Sequence, residues 1–119
     1  MGESYKVLIV DDEESVRRSL ERLLSSFGHT VEHAASVAEA LAKLDGHDVA
    51  VVDVLLRDGS GTEVVAAIRA LGRATRTALM TGKLSVEAGE TADAVFFKPV
   101  DMAAMVEWIG QRPGGGSEG

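Results

Sequence analysis

Five stretches of the chain carry the hydrophobic pattern of strands, and the segments between them carry that of helices. KVLIV at 6–10, VAVV at 49–52 and AVFF at 94–97 are apolar runs too short for core helices and rich in branched or aromatic side chains, which predicts buried strands. TVEHA at 30–34 and RTALM at 76–80 are more mixed and predict two further strands. Val16, Leu20, Leu23, Leu24 and Phe27 recur at the spacing of one helical face, and Gly28 follows where a left-handed cap would end the helix. A second helix is expected from Ser36, with Glu39 reaching back as in a capping box and Val37, Leu41 and Leu44 as its stripe before Gly46. A third is expected from about Thr62 to Leu71 on Val64, Ile68 and Leu71. The last follows Pro99, with Asp101 as N-cap and Met102, Met105, Val106 and Ile109 facing inward. Trp108 falls at the flank of that stripe, as a half-buried core edge or a partner contact.

Strand and helix thus alternate along the chain, the pattern of a doubly wound α/β fold with a parallel sheet and helices on both faces. Residues 111–119, QRPGGGSEG, break the alternation and read as a flexible tail or linker. There is no internal repeat.

Composition narrows the function classes. The 119 residues fit one ordinary domain, and 45% hydrophobic with 26% charged residues is enough to bury a core. The absence of cysteine removes disulfides and thiolate metal sites. No apolar run approaches the ~18 residues of a membrane span, so a cytoplasmic protein is expected. A net charge of -7 argues against direct grip on nucleic acid or anionic lipid and favours cations or basic partner surfaces.

In folds of this class ligands bind beyond the carboxyl ends of the strands. The first strand is followed by Asp11 and Asp12, the third by Asp53, the fourth by Thr81 and the fifth by Lys98 and Pro99. Each has an ordinary explanation alone: the acids at 11–14 as helix-starting residues, Asp53 and Thr81 as turn formers, Lys98 as a solvated strand end. Together, at successive strand ends, they describe a site for phosphoryl chemistry. Three carboxylates within reach of one another repel unless a cation sits among them, and their hard oxygens suit Mg²⁺. Lys98 and Thr81 supply a point charge and a hydroxyl for a phosphoryl oxygen.

KVLIVDDEE at 6–14, DVAVVDVLLRDGSG at 48–61, RTALMTG at 76–82 and ADAVFFKP at 92–99 resemble the receiver domain of two-component response regulators. The resemblance implies a receiver domain over residues 4–110 with a flavodoxin-like strand order 2-1-3-4-5. It implies that Asp53 is the phosphoacceptor, that Asp11, Asp12, Asp53 and the backbone carbonyl of Leu55 hold Mg²⁺, and that Thr81 and Lys98 bind the phosphoryl oxygens. The implied partners are a histidine kinase or phosphotransfer protein as donor and a downstream protein target or output domain. Such a domain is no enzyme beyond its own phosphorylation and dephosphorylation.

Three departures stand out. Arg57 replaces the proline common four residues after the phosphoacceptor. Val95 stands where many receivers carry a switching aromatic. Residues 82–93 leave too little chain for a full helix between the fourth and fifth strands, so that helix is expected to be short or absent, in a mobile segment. The alternatives are a pseudo-receiver that only binds partners and a Mg²⁺-dependent phosphohydrolase; the latter lacks an acid/base residue at Leu55.

Overall fold

The computed structural model describes residues 3–72, 74–82 and 92–111. The expected helix within 82–93 falls largely on residues outside this range, as does nearly all of the tail from 112 onward. Five parallel strands form the central sheet: β1 (Lys6–Val10), β2 (Thr30–Ala34), β3 (Val49–Asp53), β6 (Arg76–Thr81) and β7 (Ala94–Phe97). Their order is β2-β1-β3-β6-β7. A short antiparallel pair, β4 (Leu55–Leu56) and β5 (Gly59–Ser60), forms a hairpin directly after β3 that the hydrophobic pattern does not announce. The helices among the described residues are α1 (Glu14–Ser26), α2 (Val37–Leu41), α3 (Gly61–Ala70) and α4 (Met102–Gly110).

The strands read as continuous apolar runs because both faces of the sheet are covered. Leu8, Val10, Ala50, Val52 and Leu79 point to one face, where they pack with Val37 and Ala40 of α2 and Val64, Val65 and Ile68 of α3. Val7, Ile9, Val49, Val51, Ala78 and Met80 alternate to the other face, against Leu20 and Leu24 of α1 and Met105 and Ile109 of α4. Each fully buried large side chain contributes roughly 1.5–3 kcal/mol. These layers fix the strands in register and so carry all their carboxyl ends to one edge.

The helix ends depart from the expected stripes. Phe27, Leu41, Leu71 and Met102 are exposed. Phe27 is the C-cap of α1, and Gly28 beyond it adopts a φ of 90°, the left-handed turn expected there. α2 stops at Leu41 instead of reaching Leu44. Its inner face runs through Val37 and Ala40, and Leu44 reaches the core from the turn that follows. Leu71 is likewise a C-cap residue, and the buried face of α3 runs through Val64, Val65 and Ile68. Met102 opens α4 on the solvent side, while Asp101 caps the helix by accepting the Ala104 N–H at 3.1 Å.

Trp108 is half-buried, packed edge-on against Phe96 at 6.0 Å. The Arg76 guanidinium lies 4.9 Å from the Trp108 ring and 5.5 Å from that of Tyr5, and it donates to the carbonyls of Trp108 (2.8 Å) and Ile109 (2.6 Å). It thereby ties β6 to the last turn of α4, where a cation is favoured.

Candidate functional site

The parallel sheet places Asp11 and Asp12 just past β1, Asp53 as the last residue of β3, Thr81 as the last of β6 and Lys98 just past β7. Asp11 and Asp53 are buried and Asp12 is half-buried. One carboxylate oxygen from each lies within 4.8 Å of the others. Lys98 Nζ donates to Asp53 Oδ2 at 2.8 Å across 45 residues of sequence. Thr81 is buried, and its carbonyl accepts the Lys98 N–H at 2.8 Å, so the two residues are joined through the backbone. The Lys98–Pro99 peptide is cis.

The two buried carboxylates are held differently. Asp53 has both oxygens engaged: Oδ1 accepts the Leu55 N–H at 3.1 Å and Oδ2 accepts from Lys98. Asp11 Oδ1 accepts the Glu13 N–H at 2.9 Å, whereas Asp11 Oδ2 is buried with no hydrogen-bond partner among the described residues. Burial pushes the Asp11 carboxyl up to about 6; the Glu13 amide and Lys98 pull it down, and the charges of Asp53 and Asp12 push it further up. At Lys98, burial disfavours the ammonium, but the hydrogen bond and charge of Asp53, with Asp11 and Glu13, outweigh it and leave its pKa raised. Three carboxylates against one ammonium leave a formal excess of two negative charges.

That excess, the all-oxygen donor set and the orphaned Asp11 Oδ2 fit a hard divalent cation such as Mg²⁺. The side chains that would hold it are those of Asp11, Asp12 and Asp53.

Residues outside the strand-end pattern shape the site. Arg17, one turn into α1, donates from Nη1 to the Asp11 carbonyl at 2.7 Å and holds the acidic loop from below. Gly61 opens α3 against the backbone of Asp53: a Cβ there would collide with the Asp53 carbonyl oxygen and stand 2.7 Å from Val52 Cγ1. Only glycine permits that approach. Ser60 caps α3, with its Oγ accepting the Thr62 N–H at 3.2 Å and Glu63 Oε2 accepting the Ser60 N–H at 3.0 Å. Ser60 followed three residues later by Glu63 is the sequence signal that could have marked this start, where the helix was expected only from about Thr62. Arg17 and Gly61 had no comparable local signal.

The response regulator receiver domain family model matches residues 7–109. The acid tolerance regulatory protein ActR of Rhizobium meliloti is 36% identical over 121 residues, covering 96% of this chain and 62% of that protein. The response regulator MprA of Mycobacterium ulcerans is 37% identical over 105 residues, covering 84% of this chain and 45% of that protein. The chain therefore spans 62% and 45% of the length of these two relatives. Among solved structures, a CheY-like receiver domain protein from Methanospirillum hungatei superposes with a TM-score of 0.83 at 32% identity, covering 90% of this chain and 91% of that one. The chemotaxis protein CheY4 of Vibrio cholerae gives a TM-score of 0.80 at 30% identity, covering 90% and 97%. With the expected strand order observed and the family match running from β1 into α4, the chain belongs to the receiver domains of two-component response regulators.

Proposed function

We propose that Asp53 is the phosphoacceptor of this receiver, taking its phosphoryl group from a phosphohistidine of a histidine kinase or phosphotransfer protein. The observation that carries this reading is Asp53 at the strand-end edge, paired at 2.8 Å with Lys98 and grouped with an Asp11 carboxylate that has a buried, unpartnered oxygen. An Asp53 carboxylate oxygen attacks phosphorus as the nitrogen–phosphorus bond breaks, and the donor imidazole leaves with the bond's electron pair. Lys98, already on Asp53 Oδ2, follows the charge onto the phosphoryl oxygens, and the Thr81 hydroxyl donates to the same group. Asp11, Asp12, Asp53 and the Leu55 carbonyl would hold Mg²⁺, which when bound would neutralise charge on the transferring group. The domain spans residues 4–110, with 111–119 as tail, and acts in the cytoplasm on a downstream protein or an output domain. No helix among the described residues is long and apolar enough to cross a membrane.

Intact mass after incubation with acetyl phosphate and Mg²⁺ tests the assignment. One phosphoryl group is expected on the parent and none on Asp53→Ala. Equal incorporation by the variant, or none by the parent in Mg²⁺, overturns it.

A further inference from the structure

α2 has five residues, too few to hold together as an isolated helix, and it starts on amides satisfied mostly from elsewhere. Ser36 Oγ accepts the Glu39 N–H at 3.0 Å. The two amides before it go to one carboxylate outside the helix: Asp58 Oδ1 accepts the Val37 N–H at 2.8 Å, and Asp58 Oδ2 accepts the Ala38 N–H at 3.1 Å. These bonds hold the Asp58 carboxyl below its ordinary pKa, so it remains an acceptor at neutral pH.

Asp58 sits at the tip of the β4–β5 hairpin, and the other end of that hairpin is the site itself. Leu55 of β4 donates its N–H to Asp53 Oδ1 at 3.1 Å, and the Gly61 N–H closes the hairpin onto the Val54 carbonyl at 2.8 Å. The hairpin also lies directly on α2: Leu56 shares a core cluster with Val37 and Ala40, and a methyl added at Gly59 would stand 3.3 Å from Val37 Cγ2. A two-strand hairpin of this size has little stability of its own and takes its position from its two attachments.

We propose that Asp58 is a positioning residue for the Asp53 site, clamping the β4–β5 hairpin to α2 so that the order of α2 and the occupancy of Asp53 are coupled. The inference rests on the reading of Asp53 as the phosphoacceptor. It follows from the chain of contacts that whatever joins the Asp53 oxygens acts on the Leu55 bond with the hairpin held in place, and Asp58 carries that order to the first turn of α2. Linkage makes the effect reciprocal: a hairpin released from α2 binds the site's ligand less well, and a liganded site steadies α2.

The test uses beryllofluoride with Mg²⁺ as the probe, on the parent, Asp58→Ala and Asp58→Asn. Asp58 is exposed, so both variants are expected to fold. Asp58→Ala is expected to weaken the apparent affinity for beryllofluoride by roughly fivefold or more, the lower end of site-to-site coupling. Asp58→Asn, which keeps one acceptor oxygen, is expected to fall between. Hydrogen exchange at residues 37–41 is expected to slow on beryllofluoride binding in the parent and to stay unchanged in Asp58→Ala. A purely structural cap would lower stability without moving the affinity. Equal affinities, or exchange in α2 that ignores beryllofluoride in the parent, overturn the coupling while leaving the phosphoacceptor reading intact. A parent that binds no beryllofluoride overturns both.

Discussion

Asp11→Asn separates the cost of the acidic site from its use. In the absence of divalent cations the folded protein holds the Asp11 carboxyl at about 6, where 3.8 is ordinary. At 1.36 kcal/mol per pH unit that difference is worth about 3 kcal/mol. The direction is opposite to that of a salt-bridged carboxylate. Between pH 4 and 6 the native state keeps a proton that the unfolded state has lost, so stability falls as pH rises through this window and stays low above it. Asparagine retains an acceptor for the Glu13 N–H, places an N–H₂ group near the neighbouring carboxylates and removes the buried charge. In EDTA at pH 7.5, urea unfolding is expected to show Asp11→Asn more stable than the parent by about 2–3 kcal/mol, with the gap closing toward pH 4.5. With Mg²⁺ at a hundred times its dissociation constant the parent gains about 2.7 kcal/mol by mass action and the variant little. A variant no more stable than the parent at pH 7.5 in EDTA, or a gap independent of pH, would refute the claim that burial of Asp11 dominates the apo site.

Gly61→Ala is expected to cost about 3 kcal/mol or more, because the new methyl meets backbone that cannot step aside, and to weaken beryllofluoride binding by displacing Asp53; an unchanged urea midpoint contradicts the close approach. Arg76→Lys loses the fork on the Trp108 and Ile109 carbonyls and the stacking on two rings, with an expected loss of about 2 kcal/mol and a shift in the emission of Trp108, the single tryptophan; unaltered emission and stability would remove the tie between β6 and α4. His29 accepts the Tyr5 N–H on Nδ1, and burial lowers its pKa, so the folded state resists the second proton. With Mg²⁺ present, stability is therefore expected to drop as pH falls below about 6.5, and His29→Gln, which keeps an acceptor, to flatten that slope; equal slopes would assign it to other groups.

What was legible from the sequence was what a single strand or helix states about itself. A segment such as VAVV at 49–52 has no solvent-facing alternation because it is covered on both sides, and that local fact reports a parallel sheet before any contact is known. Parallel connectivity then obliges residues after each run to share one edge, so Asp11, Asp12, Asp53, Thr81 and Lys98 could be grouped without coordinates. The structure alone decided where helices stop being useful to the core. Phe27, Leu41, Leu71 and Met102 fit the periodicity but fall outward, because a helical stripe continues past the sheet it packs on and only the neighbour's extent says where burial ends. It alone decided the hairpin at 55–60, whose two-residue strands are too short to leave a period, and the partners that cross long stretches of chain: Lys98 on Asp53, Asp58 on α2, Arg76 on the end of α4. Such pairs carry no spacing rule, since the folded backbone sets the distance between them. Gly61 marks the boundary between the two kinds of information: its identity is local, but the reason for it is an oxygen of Asp53 that only the packed fold brings against it.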